Sequence, residues 1–153
     1  MNNSPIVPEL DRSVLHLLHR AGQQAEVMFM REIDPQSGLT PRQYAVLFAV
    51  SHNEDISQTG LVTTTGIDRS TLADVVRRLV DKAMLARRRT RADARMYAVR
   101  LTPKGRQALD RAKPAAIRAD ESVIGMLGAR QRTEFVSTLV EIVRTMDRLA
   151  EAA

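Results

Sequence analysis

The chain has 153 residues, enough for one domain with an extension, and the 44% that are hydrophobic suit a globular core. It has no cysteine, which excludes disulfides, cysteine-ligated zinc and thiol-based sensing, and only 3% aromatic residues, which leaves the core to Leu, Val, Ile, Ala and Met. The net charge is +5, no apolar run approaches the roughly 18 residues of a membrane span, and residues 1–11 lack a basic-then-apolar leader, so a cytoplasmic protein with no membrane association is expected.

In residues 8–33, Leu10, Val14, Leu17, Leu18, Ala21, Ala25 and Met28 recur at three-to-four spacing, which predicts a long amphipathic helix. Asp34-Pro35-Gln36-Ser37-Gly38 breaks it. Thr40-Pro41-Arg42-Gln43 opens a second helix with a cap, a first-turn proline and a capping box. That helix is expected to end near His52-Asn53. Ser57 caps a third, Gln58–Thr65. Gly66 supplies a turn, and Asp68 caps a fourth helix running to about Ala83, with Leu72, Val75, Val76 and Leu79 as its buried stripe. Two short helices about a glycine turn form the helix-turn-helix pattern.

Residues 85–90 and 96–101 read as the arms of a β-hairpin. Tyr97, Val99 and Leu101 alternate with Ala98 and Arg100. Thr102-Pro103 opens a fifth helix, in which Pro114 is expected to cause a kink or break, with Gly128 as the end of the apolar run. A last helix is expected over residues 129–150. The fold expected is mainly α with a small β-wing: a winged helix-turn-helix flanked by N- and C-terminal dimerisation helices. Residues 1–153 form one unit, residues 40–103 the DNA-binding module, and residues 8–34 and 104–150 the dimerisation helices. The flanking stripes are too long for one small core, and a two-fold homodimer covers them economically.

Charge placement points to the partner. Residues 86–106 hold eight basic side chains and one acid, a charge of +7, so the rest of the chain carries −2. Such concentration points to a polyanion, double-stranded DNA. Arg69, Ser70 and Thr71 open the second helix of the helix-turn-helix, where side chains meet base edges in the major groove. Arg77 and Arg78, two turns on, fit backbone phosphates. Arg87, Arg88, Arg89 and Arg91 fit phosphates along the wing. At its tip Arg95 fits the narrow minor groove, with Asp93 holding the arginine or a nearby amide in place.

The stretches Asp68-Arg69-Ser70-Thr71-Leu72, Leu85-Ala86-Arg87-Arg88, Arg91-Ala92-Asp93-Ala94-Arg95 and Leu101-Thr102-Pro103-Lys104-Gly105 resemble the MarR family of multiple-antibiotic-resistance-type regulators. The wing Asp-x-Arg and the Leu-Thr-x-x-Gly are the most specific marks, and Leu39-Thr40-Pro41-Arg42-Gln43 matches the family's second-helix opening. The resemblance implies a triangular homodimer on a pseudo-palindromic operator, with recognition helices in major grooves and wings in minor grooves. It further implies a repressor released by a small ligand (an aromatic acid, a phenolic compound or a related thioester) bound between the dimer helices and the winged module. Two positions depart from the family pattern. Asp74 stands where a basic residue is common, and either faces away from the DNA backbone or reads a cytosine. Ala83 stands where glycine is common, and is expected to close its helix without a left-handed turn.

An aromatic acid needs an apolar wall with a few cationic or hydrogen-bonding groups. His19, Arg20, Arg42 and Tyr44 are the candidates, with Arg87 close by at the wing junction. His19 is placed at the edge of the apolar face and His16 on the polar side; Tyr44 also suits the core. No cofactor is expected. His16, His19 and His52 come with no metal-protease, phosphate-loop or nucleophile motif, so neither a metal site nor a catalytic residue is assigned and the chain is not expected to be an enzyme. The alternative is a basic architectural protein that binds DNA without sequence preference or effector.

Overall fold

The computed structural model describes residues 9–89 and 97–152. The wing-tip candidates Arg91, Asp93 and Arg95 lie outside them.

A short 3-10 turn, Leu10–Arg12, precedes α1 (Val14–Glu32), whose cap is Ser13, accepting from the His16 amide. The helix expected from residue 8 therefore starts later, because Ser13 competes for the first free amides. Next come α2 (Pro41–His52), β1 (Ile56–Ser57), α3 (Gln58–Thr65), α4 (Arg69–Asp81), β2 (Leu85–Arg89), β3 (Tyr97–Leu101), α5 (Pro103–Ile124) and α6 (Ala129–Glu151). The caps at Thr40, Ser57, Asp68 and Thr102 all form. The Thr40 hydroxyl accepts from the Gln43 amide and the buried Gln43 side chain accepts from the Thr40 amide, each at 3.2 Å.

The sheet has the order β1-β3-β2, antiparallel throughout. The two-residue β1 was not foreseen. It pairs Ile56 with Val99 and Ser57 with Ala98, tying the entrance of α3 to the wing. Leu47 and Val50 of α2, Leu61 of α3, Leu72, Val76 and Leu79 of α4, Leu85 of β2, Val99 of β3 and Leu109 of α5 close a continuous core. Phe29 and Ile33 join it from the C-terminal end of α1.

Three local features depart from expectation. Ala83 does adopt the left-handed conformation, with φ of 56°. Contacts on either side of the turn force it: the Thr102 hydroxyl donates to the Ala83 carbonyl at 2.7 Å, and the Met84 amide bonds back to the Leu79 carbonyl. Gly105 then rests on the Met84 carbonyl so closely that a Cβ there would stand 2.0 Å from that oxygen. The Leu-Thr-x-x-Gly motif is thus a docking joint between the wing and α5. Second, of the kink or break expected at Pro114 the break does not occur, and α5 is one helix through it. Its packed face, Leu109, Ala112, Ala115 and Ala119, stays in register against the core while Pro114 is exposed on the other side. Third, α5 ends before Gly125, and Gly128 caps α6.

The α5–α6 elbow is clasped by Arg132. Its guanidinium donates to the Leu127 carbonyl at 2.8 Å, the Gly125 carbonyl at 2.6 Å and the Glu121 carboxylate at 2.9 and 3.1 Å. Beyond it α6 buries none of its described side chains. Phe135, Val136, Val140, Val143, Met146 and Leu149 are exposed, as are Val14, Leu15, Leu17 and Leu18 on the first half of α1. No helix is long and apolar enough to cross a membrane among the described residues.

Candidate nucleic-acid interface and effector cavity

The N-terminus of α4 is organised around Asp68. Its carboxylate accepts from the Thr71 amide at 2.9 Å and the Ser70 hydroxyl at 2.7 Å. Hydrogen bonds from Thr71 and then Ser70 hold that carboxyl far below the usual carboxylate range, so it stays ionised. The cap therefore orients Ser70 as well as ending the helix. Arg69 is exposed and borders a recess of about 220 Å³ with Ser57, Gln58, Thr59 and Tyr97. The first turns of α3 and α4 and the wing-tip end of β3 thus border one recess.

Arg77 and Arg78 are not free cations. Asp74 accepts from Arg77 and lies 2.7 Å from the Arg78 Nε, and Asp81 lies 3.7 Å from Arg77. The Arg77 hydrogen bond, followed by the Arg78 charge, holds Asp74 below its ordinary value. Asp74 thus faces along its own helix to two arginines. Asp74 and Arg78 also line a groove of about 690 Å³ between α1, α2 and α4.

The pleat divides the wing arginines. Arg87 stands opposite Val99 and Arg89 opposite Tyr97, on one face of the sheet, whereas Arg88 opposes Ala98 on the other. The run Arg87-Arg88-Arg89 therefore cannot meet a single phosphate row. Two acids missed by sequence reasoning lie nearby, Asp55 against the second face and Glu54 against the start of α5. The Asp55 carboxylate accepts from Arg100 at 2.8 and 3.2 Å and lies 3.8 Å from Arg88; Glu54 lies 3.5 Å from Arg106. Asp55 is 45 residues from Arg100, and no local pattern links them. Arg87 and Arg89 have no acidic partner among the described residues.

A second site lies between α1, α2 and α5. A cavity of about 630 Å³ is lined by Ala25, Glu26, Phe29, Pro41, Tyr44, Phe48, Lys113, Ala116, Ile117, Ala119, Asp120 and Val123. Three of the chain's five aromatic residues are here, although aromatics are scarce overall. Their rings form a ladder, with centroids 5.5 Å apart for Phe29–Tyr44 and 5.9 Å for Tyr44–Phe48, continued by His52 at 4.6 Å from Phe48. The ladder arises from the i, i+4 spacing of residues 44, 48 and 52 on one helix face. Burial pushes the Tyr44 phenol above its ordinary value, opposed by Lys113 and reinforced by Asp120. Near neutral pH it is a hydrogen-bond donor. The Lys113 ammonium is held by Asp110 at 2.8 Å.

Of the four ligand candidates, only Tyr44 lines this cavity. Arg42 lies in the neighbouring groove, 3.8 Å from Glu26, which borders both spaces. His19 and Arg20 are exposed and line neither, and His16 is the more shielded histidine. His19 nevertheless shares a face with Glu26, seven residues on and about 10 Å along the helix. Lys113, Phe48 and Asp120 went unforeseen, since the α5 face that meets the aromatic ladder carries no motif. Among the described residues no three His, Asp or Glu side chains are placed to hold a metal ion.

The geometry agrees with comparison to known proteins. Residues 37–96 match the family model described as the MarR family. A putative transcriptional regulatory protein for the hcr operon of Thauera aromatica is 32% identical over 82% of this chain and 76% of its own length. BpsR of Bordetella bronchiseptica, whose DNA binding is regulated by 6-hydroxynicotinic acid, is 33% identical over 85% of this chain and 98% of its own, with a TM-score of 0.79. The transcriptional repressor CouR is 31% identical over 92% and 99% of the two chains. It is known bound to a 23-mer DNA duplex, with a TM-score of 0.80, and to p-coumaroyl-CoA, with a TM-score of 0.79. An arginine-led recognition helix, a basic three-stranded wing and these relatives identify the chain as a member of the MarR family, a winged-helix DNA-binding regulator of transcription.

Proposed function

We propose that the chain is a ligand-released repressor that binds a pseudo-palindromic operator as a homodimer. The observation carrying this reading is the aromatic ladder of Phe29, Tyr44 and Phe48 beside Lys113 in an open cavity. A cavity of this size suits a small planar ligand, and one ammonium with one phenol donor suits a carboxylate, a phenol or a thioester carbonyl. The liganding of BpsR and CouR supports the same classes. In this reading Tyr44 and Lys113 make the polar contacts, His19 and Arg20 extend the wall along α1, and Arg42 links the cavity to the groove beside α4.

The DNA contacts proposed are Arg69, Ser70 and Thr71 at base edges, with Arg77, Arg78, Arg87, Arg88, Arg89 and Arg91 at phosphates and Asp93-Arg95 in the minor groove. Arg77 and Arg78 must share Asp74 with the DNA. Residues 40–103 form the DNA-binding module, and residues 8–34 and 104–150 dimerise through the apolar faces of α1 and α6. The test is release of the protein from a duplex it has selected from a random library, titrated with 6-hydroxynicotinic acid, simple hydroxybenzoic acids and p-coumaroyl-CoA. At least one is expected to lower DNA affinity in the wild type and to lose most of that effect in Tyr44→Ala. No response to any of them, with equal affinity for shuffled duplex, would favour a constitutive architectural protein instead.

A further inference from the structure

The acids nearest the basic wing pose a problem of sign. A carboxylate beside a polyanion-binding surface weakens long-range attraction, yet Asp55 is held at the root of the wing by three features. Its backbone is left-handed, with φ of 60°, a conformation uncommon outside glycine but tolerated by Asp and Asn. It immediately precedes β1, whose pairing with β3 joins the wing to α3. Its carboxylate meets Arg100 of β3 through two hydrogen bonds and lies 3.8 Å from Arg88 of β2. Arg100 opposes Ala86 and Arg88 opposes Ala98, so the two arginines share one sheet face on neighbouring strands. One side chain thus spans both arms of the hairpin from the segment that enters the helix-turn-helix.

We propose that Asp55 is a positioning residue for DNA binding: bridging Arg88 and Arg100, it fixes the bearing of the wing relative to α3 and α4, so that Arg87 and Arg89 meet DNA in register with Arg69. The inference rests on the reading that the wing contacts DNA. The bidentate geometry with Arg100 is what gives it directional content, since a single long contact between exposed groups would leave the hairpin free to swing. Arg88 serves as part of this brace and is shared between Asp55 and any phosphate it reaches.

The experiment compares affinity for a duplex selected by the wild-type chain with affinity for a shuffled duplex of equal composition. It uses Asp55→Asn, which keeps the left-handed turn and removes the charge, and Arg100→Met, which removes the partner. Charge alone predicts that Asp55→Asn binds both duplexes more tightly and that Arg100→Met binds both more weakly, with the selected-to-shuffled ratio unchanged in each. Positioning predicts that this ratio falls roughly three- to fivefold in either variant, and no further in the double variant. An unchanged or raised ratio in Arg100→Met overturns the proposal even where the Asp55 variant folds poorly. Arg87→Ala, measured alongside, reports on the underlying reading: lowered affinity supports wing contact, and unchanged affinity removes that contact and the proposal with it.

Discussion

Helices α4 and α6 both carry an apolar stripe, and the two stripes meet opposite surroundings. In α4, Leu72, Val75, Val76 and Leu79 are buried against α2, α3 and the sheet of the same chain. In α6, Phe135, Val140, Val143 and Met146 remain exposed and none of the described side chains is buried. Periodicity reports that a face needs covering; it does not say by what. Short turns return α3 and β2 onto α4, whereas α6 leaves the core at the elbow clasped by Arg132.

The contrast can be broken most severely at α6. Val143→Asp with Met146→Asp is expected to convert a sedimenting dimer to a monomer at micromolar concentration and to abolish tight operator binding; each apolar side chain removed forfeits about 1.5–3 kcal/mol of burial. A double variant that remains dimeric would show that another surface joins the subunits. In α4, Leu79→Ala is expected to cost about 2–5 kcal/mol in denaturant unfolding, because a fully buried side chain leaves a cavity, while sedimentation of the folded fraction stays unchanged. The smallest effect is sought where α4 ends. Ala83→Gly relieves a left-handed alanine and is expected to stabilise the fold by about 1 kcal/mol in chemical denaturation, without altering sedimentation. A destabilised glycine variant would mean that the alanine methyl packs usefully.

The features legible in the sequence are those written within a turn of themselves. Thr40 with Gln43, Ser57 with Gly60, Asp68 with Thr71 and Thr102 with Gly105 are each three residues apart, and all four caps form. What could not be read was made by distant partners. β1 exists because Val99 and Ala98 pair with it. Ala83 turns left-handed because Thr102 docks on its carbonyl. Pro114 leaves α5 whole because the packed alanines lie on the opposite side. At the candidate sites the arginines were visible, but their acidic partners were not. Asp55 comes from another segment, and Asp74 was noticed as an oddity without its role in holding Arg77 and Arg78. In the cavity Tyr44 was found from its neighbourhood on α2, whereas Lys113 and Asp120 required the packing of α5 across it.

The Arg132 clasp has a geometric consequence for the proposed dimer. With 23 residues, α6 reaches about 35 Å from the elbow. Over that length small rotations are magnified: a tilt of about 10° at the elbow displaces the far end, which borders a recess with Val62, Thr63, Gly66, Ile67 and Asp68, by about 6 Å. That approaches the rise of two base pairs along a duplex. In the proposed dimer the separation of the two α4 helices, and with it the spacing of operator half-sites, would therefore depend in part on the carbonyl and carboxylate contacts of Arg132 at residues 121, 125 and 127, far along the chain from the residues proposed to meet bases.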